Sequence, residues 1–137
     1  MSSSTKLRSP TATVDLTATT GNDLRWPLAL DVIDTAGATQ DLDVSSCTWA
    51  LRIAATKGGT AALSGTVTTS WATTGIKVDT AASGYVTLVI TKADVATLTA
   101  DTTYYYSIQA VTPATQTYIP SMTLNLFEGS LFVEQAA

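Results

Sequence analysis

Tyr85 to Ala110 reads YVTLVITKADVATLTADTTYYYSIQA, and this stretch decides the fold class. Val86, Leu88 and Ile90 share one parity while Tyr85, Thr87 and Val89 share the other, which predicts a strand covered in part on both faces. Thr91-Lys92-Ala93-Asp94 follows with the spacing of a capping box, Asp standing in the acidic place. It opens one helical turn near Ala93 to Leu98, with Leu98 closing onto the core. Tyr104, Tyr106, Ile108 and Ala110 then alternate with Tyr105, Ser107 and Gln109, so a second strand follows the turn and points Tyr105 outward.

The same period of two extends in both directions. Toward the N-terminus, Ala12, Val14, Leu16 and Ala18 alternate with Thr and Asp, and Gly21-Asn22-Asp23 turns the chain. Leu24, Trp26, Leu28, Leu30 and Val32 then share a face, with Pro27 opposite them, where a residue without an N–H suits an edge strand or bulge. Asp34-Thr35-Ala36-Gly37 has the chemistry of a hairpin turn. Trp49, Leu51 and Ile53 form the next apolar face, ended by Gly58-Gly59. Ala62 to Trp71 and Gly75 to Val78 are weaker, Thr-rich segments. Past Pro113-Ala114, the chain closes with Met122-Leu124-Leu126 and Leu131-Val133 around Gly129. These segments predict seven to nine short strands at roughly ten-residue spacing, the pattern of an antiparallel sandwich or barrel. The expected core is Leu28, Leu30, Val32, Trp49, Leu51, Ile53, Val86, Leu88, Ile90, Tyr104, Tyr106 and Ile108.

Composition narrows the chemistry. The 137 residues make one domain, with residues 11–137 as the β-domain and residues 1–10 as a polar arm without the apolar core of a secretory signal. Thr fills about a fifth of the chain and favours extended structure. No apolar run approaches the roughly 20 residues of a membrane span. A net charge of −4, from seven Lys and Arg against eleven Asp and Glu, argues against nucleic acid. With no His and one Cys, Ser-His-Asp and Cys-His catalysis, His metal sites, Cys zinc clusters and an intrachain disulfide are all excluded. Cys47 agrees with a reducing compartment and reads as a small buried hydrophobe.

Each remaining motif has a plain explanation beside the chemical one. Asp34 to Gly37 invites comparison with the Asp-Thr-Gly loop of aspartic proteases, but Ala36 interrupts it and no second such loop supplies a partner carboxylate. Asp41 and Asp43 share a strand face that would suit calcium, or equally two solvated residues around Leu42. Trp26, Trp49 and Trp71 would suit a glycan platform, yet the first two lie on apolar faces and belong to a core, leaving Trp71 free to be exposed. No catalytic, metal or cofactor site is expected. Candidate partner-binding residues are Lys6 and Arg8 on the arm, Trp71, and Tyr105.

Taken in order, several segments resemble a family of tailed-bacteriophage virion proteins whose immunoglobulin-like β-sandwich also occurs at the N-terminus of baseplate upper proteins. The carrying residues are Gly21-Asn22-Asp23, Asp34 to Gly37, Leu42, Ala50-Leu51-Arg52-Ile53, and Thr91-Lys92-Ala93-Asp94 to Leu98. Tyr104-Tyr105-Tyr106-Ser107-Ile108-Gln109-Ala110 and Gly129-Ser130-Leu131-Phe132-Val133 continue the likeness, which spans most of the chain after Pro10. Asp101-Thr102-Thr103 stands where that family commonly has a Gly before its first Tyr. The resemblance implies an all-β, immunoglobulin-like antiparallel sandwich with one short helical turn. It also implies a structural, non-enzymatic role in a phage particle, with capsid or tail proteins as partners and no catalytic residues.

Within that class the expected role is a capsid decoration or cement protein. It would be made in the host cytoplasm, assembled into the virion and oligomeric there, because the chain shows no distal receptor-binding or coiled-coil module. A tail, baseplate or head–tail accessory protein is the alternative, and a carbohydrate-binding sandwich with a glycan ligand is a second. The arm is expected to order, if at all, against a neighbouring subunit through Lys6 and Arg8; otherwise it is an ordinary disordered terminus.

Overall fold

The computed structural model describes residues 6–7, 12–33, 36–41, 43–112 and 123–136; the side chains of Lys6, Leu7, Ala12, Val32, Ile33 and Gln40 lie outside that description. Twelve strands occur among the described residues: β1 (Lys6–Leu7), β2 (Ala12–Thr13), β3 (Leu16–Thr19), β4 (Leu24–Ala29), β5 (Asp31–Ile33), β6 (Thr39–Asp41), β7 (Thr48–Ala54), β8 (Ala61–Thr68), β9 (Gly75–Thr80), β10 (Tyr85–Ile90), β11 (Thr102–Val111) and β12 (Thr123–Glu134). One α-helical turn, α1 (Lys92–Val95), and one 3-10 turn, Ala81–Ser83, complete the elements. The protein is all-β.

Nine strands make the main sheet, in the order β2-β12-β11-β7-β8-β9-β10-β4, with β3 also on β12; β1, β5 and β6 form a separate small sheet. The expected strand count is met by the main sheet alone. Additional short pieces arise where two expected strands are interrupted. Val14 and Asp15 separate β2 from β3, where the Val14 carbonyl packs so closely on Gly129 that an added Cβ there would lie 2.1 Å from its oxygen. Leu30 separates β4 from β5, its N–H donating to Gly84 O at the 3-10 turn as the chain leaves the main sheet.

Strand direction also departs from expectation. The sheet is mixed rather than antiparallel: β12 pairs parallel with β2 and β3, and β8 pairs parallel with β9. The sheet also returns upon itself. β3 lies at one end of the order and β4 at the other, yet only residues 20–23 join them, so Thr19 and Leu24 are at most about 18 Å apart. Trp26 on β4 accordingly meets Tyr106 of β11 and Phe127 of β12 edge-on, at 6.4 and 5.4 Å between ring centroids. The sheet is curled nearly into a barrel around these contacts. Pro27 sits on β4, which has a single partner strand among the described residues, as an edge position requires.

The parity assignments hold. Of the expected core, Leu28, Leu30, Trp49, Leu51, Ile53, Val86, Leu88, Ile90, Tyr104, Tyr106 and Ile108 are buried in one cluster, and the Val32 side chain is outside the described residues. Ile76, Val95, Leu98, Leu131 and Val133 join them. Leu126 is only half-buried because the β11–β12 register shifts between Ile108 and Gln109, setting that residue aside as a bulge. β10 is covered on both faces: Thr87 and Val89, opposite in parity to Leu88, are 5% and 0% exposed.

The helical turn is built as its sequence predicts, with one addition. Thr91 Oγ1 accepts from Asp94 N (3.3 Å), the forward half of a capping box. The return half passes through a third residue, because Thr91 N donates to Thr74 Oγ1 (3.1 Å) and that hydroxyl donates to the Asp94 carboxylate. Lys92 N donates to Asp23 Oδ1 (2.7 Å), tying the turn to the β3–β4 corner. After the turn, Thr99 N donates to Tyr104 Oη (2.9 Å). Asp101 has φ 56°, a left-handed conformation that Asp tolerates better than most residues.

Leu88 and Ile108 are both wholly inaccessible on facing parts of the curled sheet. Leu88→Ala or Ile108→Ala should cost about 2–5 kcal/mol, read as a lowered urea midpoint at unchanged slope. A midpoint equal to that of the parent protein would refute the inward assignment of that residue.

Candidate functional site

Tyr105 projects from the outward face of β11, 40% exposed, as its parity predicts. The pairing register gives it company. Tyr105 is opposite Ser130 on β12 and Ala54 on β7; Ser107 is opposite Glu128 and Arg52; Gln109 is opposite Asn125 and Ala50. Small residues at Ala50, Ala54 and Ser107 leave the middle of this face low. Asp15 rises along one side and the β7–β8 turn at Thr56, Lys57 and Gly58 along the other, enclosing a groove of about 550 Å³.

Several groups in the groove are fixed before any ligand arrives. Gln109 Nε2 donates to Asn125 Oδ1 (2.6 Å). Asp15 Oδ1 accepts from both the N–H (3.2 Å) and the hydroxyl (2.9 Å) of Ser130. Arg52 Nη2 donates to Gly59 O across the turn. Tyr106 points the other way, into the core, yet its hydroxyl reaches the groove wall and donates to Val14 O (2.6 Å). Burial, with the nearby negative charge of Asp15 adding to it, pushes the Tyr106 phenol up to about 12.

Trp71 lies elsewhere, over the outward face of β4, β10 and β9. It is 40% exposed, but Arg25 and Lys77 both lie over its ring, at 4.6 and 4.3 Å from the centroid. Lys77 also pairs with Asp79 (2.8 Å), and Arg25 approaches Asp23 (3.6 Å). Burial would raise the Asp79 carboxyl, but hydrogen bonds from Lys77 and Thr87 and the charge of Lys77 outweigh it and hold the group below its ordinary value. Trp71 is thus a clamped cover on this face rather than a free platform. Trp49 is buried and Trp26 half-buried against the core, as their alternation implies.

The other sequence candidates are dispersed. Lys6 is in β1, where its backbone pairs with Ile33; its side chain, Arg8 and Asp34 lie outside the described residues. Asp41 ends β6, and Asp43 turns to accept from Ser45 N (2.8 Å); hydrogen bonds from the Ser45 side chain and backbone hold its carboxyl below the usual range. Among the described residues, no three His, Cys, Asp or Glu side chains gather as a metal site. Cys47 is half-buried, and desolvation, with Asp43 nearby, pushes its thiol up, away from the reactive thiolate. The sequence reading missed Asp15, Arg52, Gln109, Asn125 and Glu128 as neighbours of Tyr105. Their outward parity was visible, but the bulge that sets the β11–β12 register was not.

The Tyr106 hydroxyl yields a pH prediction. A tyrosine in the unfolded chain titrates near 10. The fold favours the neutral phenol, so its contribution to stability is complete below about pH 10 and is lost as pH rises through about 12. Tyr106→Phe should cost about 1–3 kcal/mol at neutral pH by leaving Val14 O without its donor, and its stability should fall less steeply above about pH 10. Urea unfolding of parent and variant at neutral and alkaline pH reads both effects. Parallel stability curves would remove the phenol from the account.

No family model matches the chain, and no curated protein is similar to it.

Proposed function

We propose that this chain is a structural protein of a tailed-phage virion, held in the particle by protein–protein contacts, and that its curled sheet is an immunoglobulin-like sandwich whose edges have been drawn together. The observation that carries the reading is the corner from Thr91 to Tyr106. This segment bears the most recognisable part of the family resemblance. Asp101 takes the left-handed conformation at the place where the family commonly has Gly, so the departure in sequence keeps the backbone shape. Tyr104, near the start of β11, hydrogen-bonds backbone just upstream, as the tyrosine corner of immunoglobulin domains does.

The strand order supports the same reading. β4, β10 and β9 form one half and β3, β12, β11, β7 and β8 the other, with an N-terminal strand parallel to the C-terminal one. Trp49, buried on β7, stands where immunoglobulin domains place a core Trp. The exposed large hydrophobics, Val67, Tyr85, Val111 and Phe132 among them, are spread over several strands, which suits a protein held between several neighbours.

Within this class the proposed role is capsid decoration or cement, made in the host cytoplasm and oligomeric in the particle; a tail, baseplate or head–tail accessory position is the alternative. No catalytic residue or cofactor is assigned. A carbohydrate-binding role centred on Trp71 is disfavoured by the two cations over its ring.

Particles from cells carrying this gene, banded on a density gradient and analysed by mass spectrometry, should contain the protein in amounts stoichiometric with the capsid or tail proteins. Its absence from pure particles would overturn the proposal. Deleting residues 1–9 removes only the two-residue pairing of β1 with β5 from the domain, so it should change the melting temperature of the isolated domain little while reducing occupancy of particles at limiting concentration. Full occupancy by the truncated protein would assign the arm no role in attachment.

A further inference from the structure

We propose that the groove on the outward face of β7, β11 and β12 is a binding site for an uncharged oligosaccharide, with Tyr105 as the stacking surface and Gln109, Arg52 and Glu128 holding hydroxyl groups. The inference rests on the groove alone and stands independently of the virion reading.

The backbone excludes one common mode of recognition. β11 pairs with β12 along its whole length and with β7 from Tyr105 to Val111, so the floor offers little free N–H or C=O edge on which a peptide strand could add. Recognition here falls to side chains. Their charges balance, Arg52 and Lys57 against Asp15 and Glu128, so a strongly anionic or cationic ligand gains no net attraction. The groove's exposed aromatic surface is one phenol ring, with Ala54 opposite it on β7, matched to the C–H face of a single pyranose.

The polar groups fit the same ligand class. A saccharide presents hydroxyls that both donate and accept, and the groove supplies a guanidinium and a carboxylate two residues from Tyr105 along the ladders and an amide four residues from it. Gln109 is oriented by Asn125 and Arg52 by the Gly59 carbonyl, so neither must be ordered on binding. The Glu128 carboxylate has no hydrogen bond or ion pair among the described residues, and its acceptors are available to a ligand. At about 550 Å³ the groove is within the range of small-ligand clefts, roughly 300–1,000 Å³.

The full-length protein is screened on an array of neutral and sialylated oligosaccharides, and chitotetraose, cellotetraose and maltotetraose are then titrated by saturation-transfer NMR. Saturable binding of a neutral glycan is expected. Tyr105→Ala should weaken it at least about tenfold and Gln109→Ala measurably, while Tyr105→Phe, which keeps the ring, should stay within about threefold. Trp71→Ala should leave it unchanged. Tyr105 is exposed, and melting temperatures of the variants verify that each remains folded. The proposal is overturned if no neutral glycan on the array or in titration binds saturably up to about 10 mM, or if only sialylated glycans bind. Binding that survives Tyr105→Ala, or that is lost with Trp71→Ala, overturns it equally.

Discussion

Gly65 and Gly75 meet backbone to backbone, and the continuity of the sheet depends on that contact. A Cβ on Gly65 would lie 2.8 Å from Gly75 Cα and from the Thr74 carbonyl oxygen; one on Gly75 would lie 2.2 Å from the Thr66 carbonyl oxygen. No side chain fits at either position unless the strands separate. Here β8 ends its pairing with β7, at Gly65 opposite Leu51, and begins its parallel pairing with β9, at Thr66 opposite Gly75. Without this handover the structure would be two sheets sharing a core. With it, one path of hydrogen bonds runs from β2 to β4.

The seam also organises what lies beside it. Thr74 precedes Gly75, and its hydroxyl is held where it can take the Thr91 N–H and give its own proton to the Asp94 carboxylate. A capping box normally closes within one turn of chain; this one closes through a residue 17 positions upstream. Thr74 is 8% exposed, a buried polar residue whose hydroxyl uses both its donor and its acceptor function. Asp23 holds the next N–H of the turn from the β3–β4 corner. The turn that leads toward β11 is therefore held from two distant parts of the chain, at Thr74 and at Asp23.

Parity is what the sequence expressed most clearly. Trp49-Leu51-Ile53, Val86-Leu88-Ile90 and Tyr104-Tyr106-Ile108 were legible because each side chain's face follows from strand geometry alone. The cap was legible for the same reason: its residues are local. Relations between strands were not. Nothing in the weak segment from Ala62 to Trp71 signals that β8 changes partners halfway, because that depends on the absence of side chains at Gly65 and Gly75 rather than on an apolar pattern. Thr74 carries no sequence mark that separates it from its Thr neighbours. The groove was half legible: Tyr105 was picked out, but the residues across from it on β12 depend on where the bulge falls.

The two halves of the curled sheet differ in how their outer faces are treated. Over β4, β10 and β9, Trp71 lies beneath Arg25 and Lys77, and Thr87 and Val89 on that face are buried. Val89 lies outside the main core cluster, so its burial comes from this outer cover rather than from the interior. That face is spent on stability: its cations are engaged by an aromatic ring and by Asp23 and Asp79. Among the described residues no such cover lies over β7, β11 and β12. Ala54 lies opposite Tyr105, and Arg52, Lys57 and Glu128 line the groove with it. A Thr-rich, lightly charged chain has few side chains able to shield an aromatic ring. Trp71 and Tyr105 are each 40% exposed, but two of the seven cations lie over the Trp71 ring and, among the described residues, none is placed over Tyr105, which leaves the β11 face with an aromatic surface open to contact.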